Sequence, residues 1–273
     1  MLLRGFLKGR YAPLLTHLAL AALFAAMIAL LVKTPFWLAL VPCALLHHRV
    51  GILLHEYIHG IPFRGRERNL LTLSLFDGLL ISFGMMEVFR VSHLAHHTWL
   101  NTERDPAAQA EKDKGHRVSL LGLLRVLEFS QHAGYFWKAW NGGFPGIKRS
   151  RIVLGFLQTI AWVSFWVYVG LPWMVAKLLL LNLVTSLSSS LRGAIEHHSR
   201  PGDTNFSNEY RVWIPLFNLN RHLDHHLHPT RPWYRREFVT DKPLTPVCYW
   251  TYWYRVYVKR EYVLMPPPKG AAG

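Results

Sequence analysis

The residues best suited to chemistry in this chain are histidines, sixteen in 273 residues. Eight of them fall into three clusters: His55 and His59, four apart; His93, His96 and His97; and His222, His225 and His226, which repeat the same H-x-x-H-H spacing. Positions three and four apart share a helix face, so each cluster aims its imidazoles in one direction. Neutral imidazole is a good ligand for divalent transition metals, and eight supply enough nitrogen for two metals with four or five ligands each. An isolated histidine is ordinarily a solvated or hydrogen-bonded side chain, and His17, His116, His132 and His228 are read that way. Two copies of one spacing plus a third cluster are a metal-site signal.

The first cluster has a rival reading. His55-Glu56-Tyr57-Ile58-His59 matches H-E-x-x-H, in which two histidines hold zinc and the glutamate is the general base of a protease. An intramembrane zinc protease would leave both H-x-x-H-H clusters without a role, and is the remote alternative.

A strongly apolar chain must position these clusters. Only 17% of its residues are charged and 51% are hydrophobic, which excludes disorder and departs from a soluble domain. Its two cysteines, Cys43 and Cys248, are too few for a disulfide scaffold and read as free thiols, Cys248 facing a reducing compartment. Four apolar runs, at about 14–32, 36–54, 152–169 and 173–191, approach the length of a bilayer-spanning helix. Short connections at Lys33-Thr34-Pro35 and Gly170-Leu171-Pro172 pair them into two hairpins. The first run follows Arg4, Lys8 and Arg10 as a signal peptide would. It is too long for one and lacks a small-residue cleavage site, so it reads as a retained anchor.

Lysine and arginine outnumber aspartate and glutamate 31 to 16, a net charge of +15. Three basic residues precede Leu14, 13 lie in 55–151 and 12 follow Leu191, against Lys33 alone in the short connections. Arg49 and Lys177 lie inside the runs. This bias puts both termini and all three clusters on the cytoplasmic side, and it explains the charge without a nucleic-acid partner. Leu70–Met86 and Val118–Trp140 are also apolar and are expected as interfacial or re-entrant helical pieces. A crossing at 70–86 would place the histidine clusters on opposite faces of the membrane. The expected fold is an all-α integral membrane protein in one domain over 1–273. Four transmembrane helices form two hairpins, and a cytoplasmic helical cap, 55–151 and 192–273, holds a di-metal site.

His47-His48-Arg49 sits deep in the second run, and His48, seven residues before His55, shares its helix stripe. His48 and Arg49 are therefore candidates to line a substrate cavity, with hydrogen bonding inside the bundle as the alternative. A metal transporter or store would need ionisable residues along a path through the runs, yet beyond His17, the His47-His48-Arg49 group and Lys177 the runs hold no histidine, acidic or basic residue. The chain has no nucleotide-binding glycine motif, haem-attachment motif or cysteine cluster, so redox chemistry would need a separate electron donor.

The stretches LLHEYIHG (53–60), SHLAHHTWLNTERDP (92–106), LRGAIEHHS (191–199) and NRHLDHHLHPTRPW (220–233) resemble a known family. It is that of the membrane-bound, histidine-rich di-iron oxygenases: fatty-acid desaturases, alkane hydroxylases and carotenoid ketolases. The resemblance covers most of the chain and implies the same four-span, cytoplasmically capped fold. It adds a ninth metal ligand just after the fourth span, His197 following Glu196, with His198 as a competing choice. An asparagine that some relatives carry four residues earlier is Gly193 here. The implied metal set is His55, His59, His93, His96, His97, His197, His222, His225 and His226. Glu56, Glu196 and Asp224 stand beside these ligands as candidates to orient imidazole N–H groups, with salt bridges as the alternative.

The resemblance further implies two iron ions cycling between Fe2+ and Fe3+, O2 as co-substrate, and oxidation of an unactivated C–H bond in a lipid or acyl chain. Desaturation is the favoured outcome, with hydroxylation or ketolation of an alkyl or isoprenoid substrate as the alternative. A ferredoxin, rubredoxin or cytochrome b5 type donor, commonly acidic, would be steered by the basic cap. Alternatively, the same arginines, with Trp233, Tyr234, Trp250, Tyr252, Trp253 and Tyr254, anchor the cap to anionic headgroups.

Overall fold

The computed structural model describes residues 12–108, 134–212, 217–241, 243–244 and 248–268. Arg4, Lys8, Arg10, His116, His132, the 118–133 part of the second expected interfacial piece and the Trp250 side chain lie outside this description. In chain order the main helices are α1 (Ala12–Lys33), α2 (Phe36–Ile58), α3 (Arg66–Leu79), α4 (Met85–Trp99), α5 (Arg149–Tyr168), α6 (Trp173–His197) and the short α7 (His222–Leu227). Among the described residues, α1, α2, α5 and α6 are long and apolar enough to cross a membrane. These are the four runs expected from the sequence.

Local chemistry sets their ends. Pro35 (φ −49°) cannot continue α1 because it lacks an N–H, yet its carbonyl accepts the first bonds of α2, from Leu38 and Ala39. Both α2 and α6 continue as helix beyond their apolar runs, to Ile58 and His197, because backbone hydrogen bonding does not stop where hydrophobicity does. His55 and His197 therefore ride on the rigid ends of long helices. Trp37, Val41, Leu157, Ile160, Val167 and Leu179 are exposed along these helices, an apolar surface suited to hydrocarbon rather than water. Lys177, the lone lysine inside α6, donates to the Leu31 carbonyl and lies 4.0 Å over the Trp173 ring, so its charge is partnered.

The chain divides into two compact units. The first comprises residues to Glu87, Lys148–Thr185 and Thr230–Arg235. In it α1 packs on α2, α2 on α3, and α3 on α5. Trp233 ties the returning segment to this bundle: its backbone N–H donates to Glu56 Oε2 (3.0 Å) and its indole N–H to Thr16 Oγ1 (3.2 Å).

The apolar stretch 70–86 differs from the single interfacial piece expected. The helix runs through Asp77-Gly78 and breaks at Leu80–Gly84, where Ile81 (φ 56°), Phe83 (φ 52°) and Gly84 (φ 81°) are all left-handed. The reason is a side chain that folds forward. Asp77 accepts the Gly84 N–H (2.9 Å) and the Met86 N–H (3.3 Å), capping the otherwise open start of α4. Thr159 on α5 receives the Phe83 N–H (3.2 Å), and Asn182 on α6 donates to the Leu80 carbonyl (2.7 Å). Gly155 is required here: a Cβ on it would lie 2.4 Å from Asp77 Oδ2. The entry into α4, which carries the second histidine cluster, is thus bolted to α5 and α6.

The second unit comprises Val88–Ile147, Ser186–Pro229 and the chain from Arg236 onward. It holds most of α4, a short helix at 134–140, the end of α6, and α7. Directly after α6, His198–Ser199 pairs antiparallel with Val263–Leu264. The last carbonyls of α6 are satisfied by tertiary partners. Asn208 donates its side-chain N–H groups to the Ile195 (2.7 Å) and His198 (2.8 Å) oxygens, and its backbone N–H to Glu196 O (2.9 Å). This clamp fixes the orientation of residues 196–198.

Candidate metal centre

In the first unit, His55 is buried in the last turn of α2 and His59 forms its C-cap (φ −80°, ψ 0°). Their Nε2 atoms are 3.3 Å apart. The i,i+4 spacing read from sequence brings two imidazole nitrogens together.

In the second unit, the two H-x-x-H-H clusters are divided rather than kept whole. Adjacent helical residues project about 100° apart, so His96 and His97 cannot serve one point. His97 Nε2 lies 3.0 Å from His93 Nε2 and 2.9 Å from His225 Nε2. His222 Nε2 lies 3.2 Å from His197 Nε2 and 3.0 Å from His226 Nε2, and the His96 ring packs on those of His197 (4.8 Å) and His226 (5.1 Å between centroids). One group is therefore His93, His97 and His225. The other is His96, His197, His222 and His226, each group drawing on both clusters.

These distances fit a shared cation. Ligand atoms about 2.1 Å from one metal lie roughly 3.0–3.5 Å apart at ordinary coordination angles. Without a cation, His97 and His222 each bring one Nε2 against two others, and a single nitrogen cannot satisfy both as donor and acceptor. Burial, followed by the charge of neighbouring histidines and, for His222, of Arg192, drives His222 and His226 well below the usual imidazole range, so both stay neutral with a lone pair available.

One buried carboxylate orients a ring of the set. Both oxygens of the fully buried Asp105 lie 2.9 Å from His96 Nδ1. A carboxylate only accepts, so Nδ1 carries the proton and Nε2 is left for metal. Asp105 is held in turn by the N–H groups of Asn101 (2.9 Å) and Ala107 (2.8 Å), where the chain reverses at Asn101 (φ 59°). Sequence reading missed this residue. The available signal was a carboxylate followed by proline in the turn just past the cluster.

Glu196 accepts Arg192 Nη1 at both oxygens (2.7 and 3.0 Å) and Tyr210 Oη at Oε1 (3.0 Å), and its Oε2 lies 3.4 Å from His222 Nε2. Glu56 accepts the Trp233 N–H, while Asp224 accepts His228 Nδ1 (3.0 Å) and the Glu237 N–H (3.1 Å). His198, the competing ligand, turns away: its Nδ1 faces the Ala194 carbonyl (3.2 Å) and its ring packs on Tyr257. At Gly193 a Cβ would meet nothing within 4 Å, leaving that place beside His197 open. His48 and Arg49 are buried in α2, with Arg49 Nη1 3.0 Å from His48 Nδ1.

Together these features define a helical membrane protein with buried and half-buried polyhistidine groups able to hold metal. The fatty acid desaturase family model matches residues 34–259, and the chain belongs to that family. Comparison with curated proteins finds no match. Family membership makes the chain an oxidoreductase of desaturase or oxygenase type, in a family that typically uses iron.

Proposed function

We propose that the chain is a membrane-bound di-iron enzyme that oxidises an unactivated C–H bond of a lipid or acyl chain, with desaturation as its reaction. The observation that carries this reading is the convergence of Nε2 atoms at 2.9–3.2 Å from two directions onto His97 and His222. The nine histidines would be the iron ligands: His55 and His59 from the first unit, and from the second His93, His97 and His225 as one group and His96, His197, His222 and His226 as the other. Two irons supplied with electrons and O2 provide an oxidant strong enough for alkyl hydrogen abstraction.

The chain's own residues position and protect that chemistry. Asp105 holds the His96 tautomer, and the clamp on the end of α6 fixes His197. Four spans in two hairpins admit the apolar substrate from the bilayer, and His48 with Arg49 lines its path. The metal-bearing cap and both termini are cytoplasmic, and the whole chain acts as one domain. A separate small acidic electron donor, of ferredoxin, rubredoxin or cytochrome b5 type, docks on the basic cap by charge complementarity.

The test supplies iron-loaded protein with O2, a reduced donor and candidate acyl lipids, and reads the product by mass. A product lacking two hydrogens supports desaturation. A product gaining one oxygen moves the reading to hydroxylation, and peptide cleavage with zinc alone overturns it in favour of a protease.

A further inference from the structure

We propose that Glu196 is itself a metal ligand, giving the group formed by His96, His197, His222 and His226 one oxygen donor among its imidazoles. This rests on the reading of that group as a metal site. Glu196 is 2% exposed and sits beside His197 on the last turn of α6. Each carboxylate oxygen offers two lone-pair directions. At Oε1 both are taken, by Arg192 Nη1 and Tyr210 Oη; at Oε2 Arg192 takes one, and the other side faces His222 Nε2 at 3.4 Å. That separation is a ligand-to-ligand edge of the same kind as the 3.2 Å between His222 and His197 and the 3.0 Å between His222 and His226. Glu196, His197 and His222 each place a donor atom within 4.8 Å of the others.

A residue that served only to orient imidazoles would meet a ring at Nδ1, as Asp105 meets His96. Glu196 instead meets His222 at Nε2, the atom that faces the other donors. Arg192 and Tyr210 pre-position the carboxylate, so little ordering is left for metal binding. The consequence is an unequal pair: one iron held by imidazoles alone, the other also by an anionic oxygen, which favours its ferric state.

The test uses full-length protein loaded with Co2+, compared with E196Q, which keeps the side chain's shape, and with Y210F, which removes an orienting donor. Metal stoichiometry, visible absorption and infrared carboxylate bands are recorded with and without metal. Wild type should take up two Co2+ and show a metal-dependent carboxylate shift. In E196Q that shift should disappear, one Co2+ should bind at least tenfold more weakly and its visible bands should change, whereas Y210F should retain the shift. Two Co2+ in E196Q with the wild-type visible spectrum, or no carboxylate shift in wild type, overturns the inference and leaves the metal site standing. If E196Q does not fold, the wild-type infrared difference alone decides. No Co2+ uptake by wild type overturns the metal-site reading and this inference with it.

Discussion

Asp105 and His96 are joined by a short carboxylate-to-imidazole contact, 2.9 Å from both Asp105 oxygens to Nδ1. The contact fixes which nitrogen of His96 is free. Replacing Asp105 with alanine should weaken metal retention by roughly 10–100-fold, the usual cost of losing a hydrogen-bonded partner of a metal ligand. Chelator competition measures it. Wild-type retention in D105A would show that the His96 tautomer is set by something else.

Asp77 makes stability depend on pH. Burial pushes its carboxyl up to about 7 from an ordinary 3.8, against the opposing bonds from Gly84 and Met86. Between these values the folded chain holds a proton that the unfolded chain has released, so stability falls as pH rises toward 7 and levels off above it. The full effect is about 4 kcal/mol at most. Thermal unfolding in detergent from pH 5 to 8 should show this slope in wild type and a much flatter profile in D77N.

Gly155 should tolerate no side chain. A methyl group there would sit 2.4 Å from Asp77 Oδ2 and 3.0 Å from Gly84 Cα, forcing apart the cap of α4. G155A should lose about 1–3 kcal/mol of stability, as overpacked interiors do, with a matching drop in melting temperature. An unchanged melting temperature would mean that the Asp77 contact yields without cost.

The spans and histidine clusters were legible in the sequence because their signals are local. Twenty apolar residues or an i,i+4 pair need no tertiary information. The division of His96 from His97 follows from helix geometry, yet assigning each to its group requires knowing where α7 and His197 lie. Asp105 and Tyr210 were missed for the same reason: each reaches its partner through the folded chain rather than through helix spacing. The role of Asp77 was not legible: it stays helical and reaches forward to cap the next helix, a contact that no local pattern announces. His197 was chosen over His198 by resemblance, and the paired strand at His198–Ser199 supplies the physical reason the two face apart.

His48 bears on substrate selection. It is buried in α2 with Arg49 Nη1 at its Nδ1, and a leucine there would remove a polar group from the proposed substrate path. H48L should keep its iron content but change turnover or the position of oxidation along the acyl chain, read by product mass spectrometry. Intact turnover and product pattern would assign His48 to bundle packing.

The claim on which everything else depends is that this chain holds two irons through its histidines. Purified protein reconstituted anaerobically with Fe2+ should retain two irons per chain, and H97A and H222A should each retain markedly less. Retention of no iron, or of the same two irons in both variants, would contradict it.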